Sequence, residues 1–273
     1  MSYAVLIILG VLLMDKTNTI LKYFERLLLL FGLVALLTSV IPCSLLVADS
    51  VDDELMEDLE KDQGKENLKD LTPKKDFETL NPKEYSESRQ AVYSKRPRPA
   101  DLEFNREKVK AHVLALPKEN RKSEIERYNR LKGIRDYLVR LLERTPYDSK
   151  EGVLFVNKNG NISKKNGIVA LANERYLILR TSSHSKSRKI EWDELPIEQY
   201  ERFFEFFASK RAAVSAAPGV SKEEINKNAA EDYITAAVMC DWYGRYEKAL
   251  DFGGKALKLC PNLKPDVERL LMD

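Results

Sequence analysis

Residues 167–181, GIVALANERYLILRT, place two short apolar runs close together in the second half of the chain. Upstream, Val153–Val156 precedes a turn with Asn159-Gly160 at its centre, and Asn-Gly favours tight β-hairpins. Downstream, residues 188–192 (RKIEW) alternate polar and apolar side chains, as a half-buried strand does. Four or five short strands within about 45 residues predict a small antiparallel β-barrel, which with a following helix covers residues 146–211.

The order of these features resembles that of the Sm-like and Src-homology-type small barrels. An initial strand and an Asn-Gly turn come first, and GIVALANERYLILRT then leads to a closing strand that runs into residues 192–196 (WDELP). The resemblance covers about 45 residues. It implies a binding or scaffolding module and implies nothing about catalysis.

Helical patterns bracket the strands. In the helical segment 101–145, residues 101–116 predict a short helix ended by Pro117. Residues 123–144 repeat apolar side chains every three or four positions and predict one long helix. After Pro196, an aromatic stripe at helical spacing predicts a helix across an end of the barrel, with an exposed aromatic ligand site as the alternative. The stripe consists of Ile197, Tyr200, Phe203, Phe204 and Phe207.

The C-terminal residues 221–273 predict a helical hairpin. Ser221 and Glu224 match a capping box, in which each side chain satisfies a backbone N–H of the first turn. Gly244 ends the first helix, Pro261 ends the second, and a short third helix completes the chain.

This hairpin resembles a tetratricopeptide repeat (TPR), a unit of two antiparallel helices. The TPR-like positions are Tyr233, Ala237, Gly244, Tyr246, Ala249, Ala256 and Pro261. Cys240 and Gly253 depart from the pattern, since aromatic side chains are usual at both positions. One unit cannot bury both of its faces, so it should pack on preceding helices or on a partner. The resemblance implies an unidentified protein partner at the concave face.

The N-terminal residues 1–48 form a hydrophobic segment. Leu27–Ala48 contains 22 residues without a charge, which is long enough for a membrane-spanning helix. Basic residues precede it and acidic residues follow it, so the bulk of the chain is expected outside the cytoplasm, in a periplasmic or extracellular location. Signal-peptide cleavage after Ala48 would instead secrete the chain. Lipidation of Cys43, a start at Met14 and a buried soluble helix are further alternatives.

Residues 49–100 predict a linker. Residues 49–70 hold three bases against ten acids, a net charge of −7, and little apolar surface to bury. Residues 71–100 contain four prolines, which disfavour long helices. A linker of about 50 residues would hold the folded part away from the membrane.

The whole chain carries 45 Lys and Arg against 43 Asp and Glu, so its overall charge indicates no ligand. A local excess of charge can indicate one. Residues 150–189 hold nine bases and two acids, and such a surface attracts anions. This surface could be merely solvated, or it could contact an anionic polymer or the chain's own acidic residues 49–70. It could also bind nucleic-acid phosphates, although an exported protein is not expected to meet nucleic acid. The candidate anionic-ligand surface consists of Lys158, Lys164, Lys165, Arg175, Arg180, Lys186, Arg188 and Lys189.

No sequence motif indicates catalysis. His112 and His184 lack partners at ligand or triad spacing and are expected at the surface. The sequence has no phosphate-binding Gly-rich loop, HExxH, G-x-S-x-G or Cys-x-x-Cys motif. Cys240 and Cys260 should lie about 15 Å apart along the hairpin, too far for a disulfide. We therefore predict no catalytic, cofactor-binding or metal residue; an enzyme with a site assembled from distant carboxylates is the alternative.

The predicted fold class is α+β. It comprises an N-terminal transmembrane helix, a flexible linker, a small antiparallel β-barrel flanked by helices and a C-terminal TPR-like α-hairpin. The function expected of this organisation is that of a membrane-anchored or exported, non-enzymatic protein–protein interaction scaffold. Binding of nucleic acid or another anionic polymer by a basic barrel is the alternative.

Overall fold

The computed structural model describes residues 76–148, 150–181, 187–214 and 220–272, which combine helices with two small antiparallel sheets. The helices are α1 (Pro82–Tyr93), α2 (Arg106–Ala115), α3 (Lys118–Leu131), α4 (Ile134–Arg144), α5 (Ile197–Ala213), α6 (Lys222–Trp242), α7 (Tyr246–Leu259) and α8 (Lys264–Leu271). The strands are β1 (Tyr147–Asp148), β2 (Val153–Val156), β3 (Ile162–Lys165), β4 (Ile168–Ala172), β5 (Tyr176–Arg180) and β6 (Ser187–Glu191). Short 3₁₀ turns lie at Phe77–Thr79, Trp192–Glu194 and Pro261–Leu263.

Helix α6 forms the centre of the helical part. At its N-terminus the Ser221 half of the predicted capping box is present, because Ser221 Oγ accepts a hydrogen bond from the Glu224 N–H at 3.1 Å. Its last two turns are buried on every side, which is typical of a helix enclosed by others. Helices α3, α5, α7 and α8 pack against it.

Helices α6 and α7 form the predicted hairpin. Gly244, with a φ of 78°, provides the left-handed turn that ends α6. The TPR-like side chains Tyr233, Ala237, Tyr246, Ala249 and Ala256 are buried, and Pro261 begins a 3₁₀ turn. The chain's own helices therefore cover the faces that one isolated unit would leave open. Membership of the TPR family stays a prediction.

Residues 76–100 differ from the expected extended linker. Pro82 begins α1 rather than preventing it, because proline is accepted at the first helical position, where no N–H is needed. Asn81 caps this helix by accepting the N–H of Lys83 at 2.9 Å. Tyr85, Arg89 and Tyr93 follow at four-residue spacing and form one buried face. We call residues 76–100 the N-terminal strap.

The single helix predicted over residues 123–144 is two helices. Helix α3 ends at Leu131, and α4 begins at Ile134. Gly133 between them has a φ of 74°, which an α-helix does not accommodate. The three- and four-residue spacing of apolar side chains continues from α3 into α4, so the spacing gives no sign of the break. The helix predicted before Pro117 is α2, which ends at Ala115.

The predicted β-barrel is wrong, because the described strands form an open sheet and a separate hairpin. The sheet has the order β1-β4-β5-β6, and β2 pairs only with β3. A barrel needs inward-facing apolar side chains on every strand. Strand β3 (ISKK) supplies none, since Ile162 is 56% exposed and Lys164 and Lys165 face solvent.

The inner face of the four-stranded sheet packs against the helices, with β4 lying on α4. Its buried side chains are Val169, Ala172, Leu177, Leu179 and Ile190. The aromatic stripe of α5 also belongs to the core, since Tyr200, Phe203, Phe204 and Phe207 are buried. The stripe is therefore not an exposed ligand site.

The transmembrane part of the predicted fold is withdrawn. In the part of the chain that the structure describes, no helix is both long and apolar enough to cross a membrane. Helix α6 has the length, at 21 residues, but it carries Lys, Asp and Glu along its course. The predicted segment Leu27–Ala48 and the acidic residues 49–70 lie outside the described residues.

Candidate functional site on the outer face of the sheet

The outer face of the sheet is the side turned away from α4. Two rows across three strands point outward here, followed by the pair Tyr176 and Glu191, because side chains alternate along each strand. One row joins Leu171, Ile178 and Lys189, and the other joins Ile168, Arg180 and Ser187. We call these six side chains the outer face.

Two apolar side chains of the outer face are well exposed, Ile168 by 39% and Leu171 by 44%. A β-bulge between Val169 and Leu171 explains the exposure of Leu171. Strict alternation would turn Leu171 inward beside Val169, but the extra residue Ala170 shifts the phase and aims it outward. Bulges of this kind re-aim side chains near functional sites.

Basic side chains lie beside these apolar ones. The Lys189 ammonium lies 4.5 Å from the centroid of the Tyr176 ring, within cation–π distance. Arg180 is exposed between Ile168 and Ser187. The outer face therefore combines an apolar stripe on β4 and β5 with positive charge on β5 and β6.

The remaining residues of the predicted anionic-ligand surface are dispersed. Lys158 lies in the turn between β2 and β3, Lys164 and Lys165 lie on β3, and Arg175 lies in the turn before β5. Arg188 faces the core side, with its guanidinium carbon 3.8 Å from the centroid of the Phe155 ring. Lys186 lies outside the described residues. The eight residues therefore do not form one continuous surface.

Stacking platforms for nucleic-acid bases are lacking in the described sheets. Phe155 and Trp192 are buried, and Lys189 covers the ring of Tyr176. Proteins that bind single strands without sequence preference combine positive charge with accessible aromatic rings.

A buried ionic network, which the sequence did not predict, joins the N-terminal strap to α6 and α3. Asp241 is fully buried and accepts hydrogen bonds from Arg89 Nε at 2.9 Å, Arg96 Nη1 at 2.7 Å and the Tyr85 hydroxyl at 2.8 Å. Burial alone would raise the pKa of Asp241, but Arg89 and Arg96 hold it well below its usual range.

Glu124 on α3 forms the second half of this network. It pairs with Arg96 Nε at 2.7 Å, with Arg127 Nη1 at 3.0 Å and with His112 Nε2 at 2.8 Å. Burial acts to raise the pKa of Glu124, but Arg96, His112 and Arg127 together lower it to about 2. His112, expected at the surface, is therefore a buried member of the network.

A smaller buried cluster surrounds Asp232, and two cysteines lie elsewhere in the helical part. Asp232 accepts hydrogen bonds from the Tyr137 hydroxyl and, at 3.0 Å, from Arg211 Nε. Burial raises the pKa of Asp232, against the opposing effect of Arg211. Cys240 and Cys260 are unbridged, and burial raises the pKa of the Cys240 thiol.

No metal site is found in the described ranges. These residues contain no group of three His, Cys, Asp or Glu side chains placed to hold a metal ion. A cleft of about 150 Å³ opens beside Phe104, Tyr128 and Arg135. Small-molecule sites usually enclose about 300–1,000 Å³, so this cleft is small.

Local spacing could have indicated part of the network. Tyr85, Arg89 and Tyr93 share one helical face, and Asp241 interrupts an otherwise apolar turn of α6 (VMCDW). The side chains that point to the outer face could not be identified in this way. Their direction depends on a bulge that the alternation of polar and apolar residues does not reveal.

Comparison with known proteins adds no family or relative. No family model, curated protein or solved structure matches the chain.

Proposed function

We propose that this chain is a non-enzymatic protein-binding module and that its partner docks on the outer face of the four-stranded sheet. The observation that carries the proposal is the exposure of Ile168 and Leu171 on β4 beside Arg180 and Lys189 on β5 and β6. Contiguous exposed apolar side chains with a polar rim are typical of interaction surfaces.

The bulge at Ala170 adds weight to this proposal. Turning Leu171 inward would bury a side chain worth about 1.5–3 kcal/mol. The chain instead leaves it in water on the outer face, next to Ile178. A docked partner would cover both side chains and recover this free energy.

The TPR-like hairpin is a less suitable docking surface than the sheet. Helix α6 is enclosed by α3, α5, α7 and α8, and the N-terminal strap lies against α7. A partner at the concave face would have to displace parts of the chain's own core. We therefore assign docking to the sheet.

The state of the buried carboxylates supports a non-enzymatic role. Asp241, Glu124 and Asp232 are each engaged by arginine or tyrosine side chains in the interior. General acid–base catalysis needs a titratable group that reaches a substrate proton. These three carboxylates are committed to holding helices together.

The test compares partner capture by variants of the full chain. Leu171→Asp and Ile168→Asp place a charge in the apolar stripe, whereas Val214→Asp makes the same kind of change at a 52% exposed position outside the sheet. We expect one set of proteins to co-purify with the wild-type chain and with Val214→Asp and to be lost from both outer-face variants. Far-UV circular dichroism checks that each variant is folded. Equal capture by all four chains contradicts the proposal.

A further inference from the structure

Strand β6 is the edge of the four-stranded sheet, and the hydrogen bonds of its neighbours fix which of its backbone groups are unpaired. The Tyr176 carbonyl accepts the N–H of Asn173 at 3.1 Å, so the backbone groups of Tyr176 point toward β4. Backbone groups alternate sides along a strand. Leu177 and Leu179 therefore point toward β6, where they face Ile190 and Arg188.

A second hydrogen bond leads to the same assignment of the backbone groups of β6 that point away from β5. The Glu191 N–H donates to Glu194 Oε2 at 3.0 Å and so points away from β5. Alternation then directs the N–H and C=O groups of Lys189 and Ser187 away from β5 as well. Among the residues that the structure describes, no strand pairs with this side of β6.

The side chains around this edge are mainly basic. Arg188 and Lys189 lie on β6 itself, and Arg180 lies on the adjacent strand β5. The acidic residue at the end of β6, Glu191, is engaged in a reciprocal capping box with Glu194. Among the described residues, the N–H and C=O groups of Ser187 and Lys189 therefore have no strand partner, and they lie in a positively charged setting.

We propose that this edge binds an extended, acidic polypeptide segment of a partner protein as an added antiparallel strand. The inference rests on the proposed function and specifies the partner's chemistry. Main-chain hydrogen bonds to Ser187 and Lys189 would hold the segment, as in other cases of β-strand addition. Acidic side chains at every second position would lie on the outer face beside Lys189 and Arg180.

Charge disfavours a second copy of this chain as the occupant. Pairing β6 with another β6 in antiparallel fashion through Ser187 and Lys189 would set Arg188 opposite its own copy and place the two Lys189 side chains on the diagonal. Like charges placed opposite each other on neighbouring strands are destabilising, and lysine on an edge strand blocks self-association. The same lysine attracts a strand of opposite charge.

The probe is the fluorescent peptide acetyl-EVEVEVE-amide, added to the full chain at low salt and followed by anisotropy. We expect binding that weakens with salt, since the contact is partly electrostatic. The peptides EEVVVEE, with the same composition but no alternation, and KVKVKVK, with reversed charge, should bind at least about tenfold more weakly. Equal binding of EEVVVEE overturns the proposed strand addition.

Two variants locate the binding on β6. Ser187→Pro removes an outward N–H at the first residue of an edge strand, where proline does not disturb the ladder to β5. Lys189→Glu reverses the outward charge. Each should weaken binding by at least about tenfold, whereas Lys164→Glu, which makes the same charge change on β3, should not. Unchanged binding by Lys189→Glu overturns the proposal even if Ser187→Pro fails to fold.

The chain's own acidic residues 49–70 are the competing occupant, and carbodiimide crosslinking of the full chain tests them. Amide bonds between Lys189 and carboxylates of residues 49–70 within one chain would overturn the proposal that a partner protein supplies the added strand. Absence of such bonds, together with binding of the alternating peptide, supports it. If the peptide fails to bind but Leu171→Asp still abolishes partner capture, strand addition is wrong and docking on the outer face stands.

Discussion

The ring of Phe77 fills the space that a side chain on Gly253 would occupy. A Cβ at Gly253 would lie 2.5 Å from Phe77 Cζ and 3.2 Å from Leu271 Cδ1. Gly253 stands in α7 where TPR units usually carry an aromatic residue. The N-terminal strap supplies an aromatic ring here instead, and the ring requires the glycine.

Replacing Gly253 by alanine should therefore destabilise the protein, although alanine is normally the better helix former. Overpacking of a core costs about 1–3 kcal/mol. Adding Phe77→Ala should remove the clash, so the double variant should lose less stability than the two single changes together. Denaturant unfolding of the four chains measures this coupling.

Gly254, the next residue of α7, provides the matched control. A Cβ there meets nothing within 4 Å. Gly254→Ala should leave stability unchanged or raise it by up to about 1 kcal/mol, the helix-propensity gain. Equal effects of the two alanine substitutions would show that Phe77 does not constrain Gly253.

Asp241→Asn should destabilise the protein strongly. Asp241 compensates the buried guanidinium groups of Arg89 and Arg96, and removing one partner of a buried ion pair costs about 3–5 kcal/mol. Asp251, which pairs with Lys255 at 3.1 Å near the surface, is the control, and Asp251→Asn should cost under about 1 kcal/mol. Chemical denaturation at neutral pH compares them. Similar effects at the two sites would contradict a stabilising role for the network.

Stability should fall as the pH drops from about 4.5 toward 2. Glu124 has a folded-state pKa of about 2 against an ordinary value of 4.5, and the pKa of Asp241 is also lowered. A lowered folded-state pKa adds stability that is present above the unfolded value and is lost as acid protonates the folded protein. Asp232, whose pKa burial raises, acts in the opposite direction.

Because these effects oppose each other, the informative comparison is between the wild-type chain and Glu124→Gln. The variant should be less stable at neutral pH and should lose less stability on acidification. Asp251→Asn is the control, since Asp251 pairs with Lys255 near the surface. Unfolding free energies across this pH range check the result, and parallel profiles for wild type and Glu124→Gln would exclude the network as the origin of acid sensitivity.

A fragment beginning at Asp101 should fail to fold cooperatively. Without the N-terminal strap, Asp241 loses Arg89 and Arg96, and Glu124 loses Arg96. A buried carboxylate without a partner is strongly unfavourable. Thermal unfolding followed by circular dichroism should show no sharp transition for this fragment. A fragment beginning at Asp76 should retain one; a sharp transition in both would mean that the strap is dispensable.

Elements with a purely local origin could be predicted from sequence. The cap at Ser221, the break at Gly244 and the Asn-Gly turn before β3 each depend on a few adjacent residues. Gly160 adopts the positive φ, 76°, that such turns require. These positions are decided by backbone sterics and nearby hydrogen bonds.

Features that depend on distant residues could not be predicted. The local sequence places Pro82 in a linker, yet the partners that hold α1 in place, among them Asp241, lie about 150 positions later. The strand pattern indicated the β-segments but not whether the sheet closes, since closure depends on edges far apart in sequence.

For the candidate site, too, the residues could be predicted from sequence but their arrangement could not. Lys189 and Arg180 were identified by charge alone. Their position on the outer face, and that of Arg188 on the inner side, depends on strand register. Register is fixed by pairing partners and by the bulge at Ala170. Neither leaves a distinctive signal in a single sequence.

The strap's dependence on α6 and α7 has a consequence for synthesis on the ribosome. Translation adds roughly 5–20 residues per second, so Arg96 is made several seconds before Asp241, which lies 145 positions later. Until α6 and α7 are made, Phe77 and Tyr85 lack the residues of these helices that they contact. A nascent chain that stalls before α6 would expose these rings to chaperones and proteases, and the core closes only after α6 and α7 have been made.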